Sequence, residues 1–418
     1  MRRVKRVANR LSLRDWREPV RGSYAPDVEQ VIHQLLKRAD VASAVQWIER
    51  QDGETLALQR AITEIPSPTF HESARGAFLA GRFRALGLSD VSTDEVGNVT
   101  GRLGNGGDTG VVICSHLDTV FSADTPLGVR GSGARLSAPG IGDNARGLAA
   151  LLTLAEACVK HRVAAGPVTF VASVGEEADG DLRGVKALHR APGFKPEAFI
   201  ALDGPGLDRV VHRALGSRRL RATYTGPGGH SWAAFGVPNP AHAVGIATAH
   251  LSEIPLPGAP RAALSVVRIG GGHSLNTIPA EAFLEFDLRS ESPEALDLLF
   301  EQAEAALKRA LDLVNRRRAQ GTGPLSLATR SLGERPSGTT DESHPLVQAA
   351  LAATRAVGGS PSLAAASTDA NVAISRGVPG IALGAGGRGG DAHLTSEWYE
   401  NENGPAGIVR ALLVILAL

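Results

Sequence analysis

Four short apolar runs, each followed by an acidic or imidazole side chain, constrain this chain more than any other feature. They are Gly110–Cys114 (GVVIC), Val168–Val174 (VTFVASV), Glu197–Leu202 (EAFIAL) and Gly380–Leu383 (GIAL). Runs this short and this continuously apolar suit strands buried on both faces. Helix-patterned stretches accompany them at Asn144–Val159, Thr368–Ser375 and Ala406–Leu418. Strands interleaved with helices predict a three-layer α/β domain, a mostly parallel sheet with helices on both faces. Further helices are predicted upstream, at Val28–Lys37, Val41–Arg50, Glu54–Glu64 and Glu72–Leu86; the third ends at Pro66-Ser-Pro68 and the fourth at Gly87.

A chain of 418 residues exceeds what one hydrophobic core usually supports. The texture changes between about 213 and 330. Arg218–Tyr224, Ala262–Ile269, Ala280–Leu288 and Leu325–Thr329 read as half-buried strands, with helices at Ala241–Ile254 and Pro293–Arg317. Strand-helix-strand-strand-helix-strand is the order of a two-layer α+β unit of ferredoxin-like type. The expected organisation is an N-terminal helical extension at 1–50, a catalytic domain at 51–212 and 331–418, and an inserted lid at 213–330.

Charge balance removes some partners. Lys and Arg number 44 against 43 Asp and Glu, a net charge of +1, which argues against nucleic acid or an anionic membrane as the main partner. No apolar run approaches a membrane span. Two cysteines, Cys114 and Cys158, are too few for a disulfide framework or a thiolate zinc site, and a reducing cytoplasm is the expected compartment. The Arg-rich start, MRRVKRVANRLSLRDWR, lacks the apolar core of a secretory signal. It reads as a solvated basic helix or a start-site extension, with a transit peptide as the alternative.

The polar residues fall at the ends of the predicted strands. His116 and Asp118 follow GVVIC, Glu176 and Glu177 follow VTFVASV, and Asp203 follows EAFIAL. His393 follows the last strand through a glycine-rich loop, and Asp143 sits in the turn Gly140-Ile-Gly142-Asp143 before a helix. Ligands bind open α/β sheets outside the carboxyl ends of the strands. Each residue alone is commonplace: an HxD in a structural loop, an EE pair on a solvated surface, a histidine in a turn. Their joint placement is what makes a site.

Two histidines and three carboxylates without thiolate favour zinc, with cobalt or manganese as substitutes. Five donors exceed the three that one catalytic zinc takes, so two divalent ions sharing a carboxylate are expected. Metal binding lowers the pKa of water from about 15.7 toward 7 and so makes hydroxide available. In the pair Glu176-Glu177, one carboxylate can bind metal while the other moves protons. Asp118 is placed to hold the His116 imidazole through its second nitrogen.

These stretches resemble the zinc exopeptidase family that includes peptidase T, glutamate carboxypeptidase, acetylornithine deacetylase and succinyl-diaminopimelate desuccinylase. The matching blocks are SHLDTVF at 115–121, GIGDNARGLAALL at 140–152, VGEEADGDLRG at 174–184, LDGPG at 202–206 and GAGGRGGDAHLTSEW at 384–398. In the lid, GPGGHSWAAFGVPNP at 226–240 and GGHSLNTIPAEAFLEFDLRS at 271–290 match, and STDANVAISRGVP at 367–379 completes the pattern. The resemblance runs from about Gln59 to the C-terminus; the first 50 or so residues depart from it. It implies a phosphorylase/hydrolase-like core. It also implies Asp143 as bridging ligand, His116 and Asp203 on one ion, Glu177 and His393 on the other, and Glu176 as general base. His230 would stabilise an oxyanion, often from the partner subunit of a homodimer joined through the lid. Asn276 and Arg289 would contact substrate, Arg289 through a carboxylate.

The run Gly-Asp-Leu-Arg-Gly after the glutamate pair, with Asp203-Gly-Pro-Gly, leans toward the peptidase T-like branch. The expected activity is therefore that of a di- or tripeptide exopeptidase of aminopeptidase type. An N-acyl amino acid amidohydrolase is the alternative, and a non-catalytic metal-binding homologue the remote one. Glu176 speaks against the last, because a degenerate member commonly loses its base or a ligand.

Overall fold

A computed structural model of the chain describes residues 27–104, 109–163 and 166–418. The Arg-rich start of the chain lies outside the described residues. Two compact units emerge, one of residues up to His212 with Thr339–Ala364 and Thr368–Leu418, the other of Arg213–Gly338 with Ala365–Ser367.

The first unit is built on a sheet whose centre is parallel, as the buried apolar runs predict. Its central strands, in spatial order, are Val168–Ser173, Val111–His116, Ala198–Leu202 and Gly380–Leu383. Val111 pairs with both Val168 and Ala198, and Ile381 with Ile200, all in parallel register. Every residue of these four strands is buried. Antiparallel strands flank this centre: Val99–Leu103 beyond Val168–Ser173, and Arg209–Ala214 beside Gly380–Leu383. The sequence pattern missed these because Val99–Leu103 (VTGRL) carries a glycine and an arginine and is buried at only two positions. Gly101 is there because a Cβ would come within 2.9 Å of Leu88.

The helix Ala145–His161 packs on this sheet with most of its length buried. Helix Gly404–Ala417 is still more apolar and almost wholly buried. The helices Val28–Lys37 and Ala39–Arg50, which the sequence sets apart as an extension, share the same core: Ile32, Val41, Ala44 and Ile48 are all at most 1% exposed within it. Their apolar faces repeat at helical spacing and need the sheet domain to cover them.

The second unit is an antiparallel sheet with two helices. Its strands are Gly216–Thr225, Ala262–Gly271, Glu281–Ser290 and Ser326–Arg335, and the first pairs with both the third and the fourth. Numbered along the chain, the spatial order is fourth, first, third, second, the ferredoxin-like arrangement. Helices Pro240–Ser252 and Pro293–Arg316 start with Asn239 and Ser292 side chains capping the first turn, each followed by proline. They cover one sheet face, where Tyr224, Leu284, Phe286 and Leu288 meet Ala243, Ala247, Ala303 and Leu307.

Close packing of helix on strand sets a limit at Gly147, in the first turns of Ala145–His161. A Cβ there would come within 2.5 Å of the Ser115 hydroxyl and closer still to Asn144. In helix Ser73–Ala85, by contrast, a Cβ at Gly81 would meet nothing within 4 Å. Glycine to alanine normally gains up to about 1 kcal/mol in a helix. Gly81→Ala should therefore raise stability by about 0.5–1 kcal/mol, whereas Gly147→Ala should lower it by about 1–3 kcal/mol through overpacking. Urea unfolding of the two variants checks this; equal shifts of the same sign would refute the packing limit.

Candidate metal centre

The site residues of the first unit collect where the parallel strands end. His116 is the last residue of its strand, Glu176 and Glu177 follow Val168–Ser173 by a short turn, and Asp203 directly follows Ala198–Leu202. Asp143 lies on the turn before helix Ala145–His161, and its peptide bond to Asn144 is cis. His393 lies between the short strands Arg388–Gly390 and Trp398–Glu400 with a left-handed backbone, φ 68°.

Donor atoms of His116, Asp143 and Glu177 all lie within 4.8 Å of one another, close enough to hold one metal ion. The distances extend this cluster in two directions. Oδ1 of Asp143 is 3.0 Å from Nε2 of His116, while Oδ2 is 3.3 Å from Nε2 of His393. Beyond His116 stands Asp203, with Oδ1 at 3.8 Å, and beyond His393 stands Glu177, with Oε1 at 3.1 Å. The donors are imidazoles and carboxylates only, the set that suits zinc, cobalt or manganese.

Electrostatics tie these groups together. Burial alone would push the Asp143 carboxyl up, but hydrogen bonds from His116 and His393 hold it well below the usual carboxylate range. Hydrogen bonds to Asp143 and Glu177 push His393 up to about 10. Burial opposes charge on His116, yet its bonds to Asp118, Asp143 and Asp203 outweigh that and carry the imidazole well above its ordinary value. Glu177 is raised, chiefly by burial.

Asp118 does more than the sequence suggests. Nδ1 of His116 lies 3.1 Å from the Asp118 backbone carbonyl and 3.6 Å from its carboxylate. The carboxylate itself accepts the Glu176 amide on Oδ1 and the Glu177 amide on Oδ2, both at 3.0 Å. The Thr69 hydroxyl adds a third bond to Oδ2 at 2.9 Å. A wholly buried carboxylate thus fixes the backbone of the glutamate pair.

Two more residues that the sequence left without a role build this framework. Asn144 donates to the Leu202 carbonyl at 2.9 Å and the Ser115 hydroxyl at 3.1 Å, and accepts the Gly204 amide at 3.2 Å. It binds together the strand ends that carry His116 and Asp203. Its place beside Asp143 in the turn was the only signal available. Arg75, fully buried, donates to the carbonyls of Leu117 and Ile65 at 2.7 and 2.8 Å. It sits far upstream in sequence, with nothing to mark it.

The remaining candidates belong to the second unit. His230 pairs with Thr277 across a two-stranded ribbon, and the Asn276 carbonyl accepts the Ser231 amide, so His230 and Asn276 are neighbours. Arg289 is not with them. It faces Ser217 across the sheet, whereas Glu281, near Asn276, faces Thr225. Eight residues of extended strand separate Glu281 from Arg289, roughly 27 Å. Nε of Arg289 donates to Asp287 at 2.6 Å, the pairing with a nearby acid that a strand-end arginine commonly makes.

The fold is shared with solved structures. An aminopeptidase PepT from Bacillus cereus superposes with a TM-score of 0.70 at 21% identity, covering 88% of this chain and 99% of that one. A tripeptidase from Staphylococcus aureus gives 0.72 at 21% identity, covering 88% and 98%. A Bacillus subtilis protein described as a dinuclear metal binding peptidase gives 0.65 at 16% identity, covering 88% and 98%. The family model for Peptidase family M20/M25/M40 matches residues 112–416, which include His116, Asp143, the glutamate pair, Asp203 and His393. The chain therefore belongs to peptidase family M20/M25/M40 and is a metal-dependent peptidase or amidohydrolase.

Proposed function

We propose that this protein is an exopeptidase of aminopeptidase type, acting on di- and tripeptides with two zinc ions. His116 and Asp203 would hold one ion, Glu177 and His393 the other, and Asp143 both. The observation that carries this reading is the orientation of Asp143, whose two oxygens face different imidazoles at 3.0 and 3.3 Å. Bound divalent ions polarise a carbonyl and lower the pKa of water. The peptide substrate is favoured by the GDLRG and DGPG runs and by the PepT and tripeptidase likenesses.

Glu176 is the general base in this reading. It is buried, adjacent to a ligand and absent from the three-residue metal cluster, and Asp118 pins its amide. It takes the proton from the attacking water and passes it to the leaving amine, so the amine departs neutral. Arg289 would bind the substrate carboxylate by a charge-assisted hydrogen bond, its guanidinium oriented by Asp287.

His230 would stabilise the oxyanion from the partner subunit of a homodimer. Its Nδ1 accepts the amides of Trp232 and Ala233 at 3.2 and 3.4 Å, which leaves Nε2 to carry the proton and donate. The roughly 27 Å between the two ends of one strand keeps one inserted domain from offering both Arg289 and His230 to a single small substrate. In this reading the two residues come to one substrate from different chains of the homodimer. The surroundings of His230 suit an assembly: Trp232 and Phe235 are 87% and 90% exposed, and Leu275 is fully exposed. At the sheet edge, Val267 and Ile269 on Ala262–Gly271 are exposed as well.

Four measurements test these assignments. Hydrolysis of a panel of di- and tripeptides beside acetyl-, succinyl- and carbamoyl-amino acids should favour the peptides; preference for acylated amino acids would make the protein a deacylase. On the best substrate, Glu176→Gln should lose roughly 10²–10⁴-fold in turnover with metal retained, while Glu177→Gln should weaken one metal site. The opposite pattern would swap their roles.

Zinc should displace protons when titrated into chelated protein. His393, pushed up to about 10 by Asp143 and Glu177, holds a proton near pH 7, His116 is shifted in the same direction, and only neutral imidazole binds metal. Affinity should climb with pH by about tenfold per unit for each proton displaced, up to the imidazole values. Calorimetry in buffers of differing ionisation enthalpy counts these protons; a pH-independent affinity would contradict protonated ligands.

His230→Ala should lose most turnover with metal intact, at a cost of about 2.7–4 kcal/mol in the barrier. Mixed dimers of that variant with Glu176→Gln should recover part of the activity, because one site regains both residues. Verified hybrids without recovery would place His230 in the service of its own chain, or of nothing.

A further inference from the structure

Four residues beyond His393 lies a glutamate whose side chain points back into the loop of Asp143. Glu397 is 2% exposed. Oε2 accepts the Gly140 amide at 2.8 Å, and Oε1 accepts the amides of both Gly142 and Asp143, each at 2.8 Å. Three consecutive-loop donors therefore converge on one carboxylate, the arrangement by which backbone amides cradle an anion. The glycines make the approach feasible: Gly140 has φ 73°, and a Cβ at Gly142 would stand 3.1 Å from Oε1.

The backbone of Glu397 faces the same segment. Its carbonyl accepts the Ala138 amide at 3.0 Å and the Ser137 hydroxyl at 2.8 Å. The next residue, Trp398, pairs with Ser137 in the small sheet formed by Arg135–Ser137, Arg388–Gly390 and Trp398–Glu400. The turn bearing His393 and the turn bearing Asp143 are thus fastened through Glu397 and the strand that follows it. His393 has a left-handed backbone, a conformation that persists only where surroundings impose it.

We infer that Glu397 is a positioning residue that locks the Asp143 turn to the His393 turn, so that both side chains meet the metal in register. This rests on the two-ion reading above. The carboxylate acts through the amide of Asp143 and the loop geometry, and it has no part in proton transfer. A structural glutamate that merely satisfies three amides would stabilise the protein equally with and without metal. A positioning glutamate is distinguished by metal affinity in protein that is already folded.

The test is calorimetric titration of zinc into chelated wild-type, Glu397→Gln and Glu397→Asp proteins, each verified as folded by circular dichroism. Residues that orient metal ligands typically contribute 10–100-fold in affinity. Both variants should bind zinc about 10–100-fold more weakly, since Gln presents an amide that cannot accept three donors and Asp is one methylene too short. Unchanged affinity in both would overturn the inference. Retention in Asp with loss in Gln would overturn it as well, because charge at a distance would then suffice. Should Glu397→Gln not fold, Gly142→Ala disturbs the same contact from the loop side and should weaken zinc in the same direction; wild-type affinity there would count against the lock. If wild-type protein binds one ion instead of two, the two-ion reading falls, and the same comparison of affinities still decides Glu397.

Discussion

Like charges brought together at the ends of parallel strands are the constraint on which the rest of this structure depends. Asp118, Asp143, Glu176, Glu177 and Asp203 converge there with two imidazoles. Two unit charges at about 4 Å repel by roughly 4 kcal/mol at an effective dielectric of about 20. Hydrogen bonds to the two imidazoles offset part of that repulsion, and the rest falls to side chains that grip the neighbouring backbone. The pins are buried polar side chains that face backbone: Asp118 on the amides of the glutamate pair, Asn144 across two strand ends, and Arg75 on the carbonyls of Leu117 and Ile65. None of these needs a metal in order to hold, so the donors stand in place before one arrives. That is preorganisation, which spares the binding step the ordering of its ligands.

The same requirement explains the glycines around the site. Gly142 and Gly147 lie where a side chain would enter a carboxylate or a hydroxyl. Gly175, just before the glutamate pair, has φ 64° and would drive a Cβ into Arg183. These positions are crowded because polar side chains come in from several elements to reach backbone groups. Arg183 itself is held by a bidentate contact with Glu72 at 2.6 and 2.7 Å and by the Val96 carbonyl. Stiffness of this kind suits a site whose donors must keep fixed distances.

The inserted unit follows a different logic. Its core of Tyr224, Leu284, Phe286 and Leu288 lies under two capped helices and is an apolar cluster of its own. Its sheet is long relative to a small substrate. Asn276, before the start of strand Glu281–Ser290, and Arg289, near its far end, are kept apart because an extended chain advances about 3.4 Å per residue.

What the sequence determined by itself was the alternation of buried strands and helices and the gathering of His116, Asp143 and Glu177 where the parallel strands end. The four apolar runs became the four parallel strands, and the ferredoxin-like order of the insert followed from strand periodicity. Local pattern suffices there, because burial on both faces demands uninterrupted apolar residues and a half-buried sheet demands alternation. Tertiary structure alone decided which distant side chains hold the donors. Thr69 acts through the Asp118 carboxylate, and Arg75, Asn144 and Glu397 act through a few hydrogen bonds to backbone groups, up to 257 residues away in the case of Glu397 and Gly140. Such bonds leave no periodic trace, since any polar residue of the right reach at that point would satisfy the same amide or carbonyl. The edge strands and the helices Val28–Lys37 and Ala39–Arg50 were settled the same way. Their place in the core depends on which surface they cover, and that exists only once the sheet has formed.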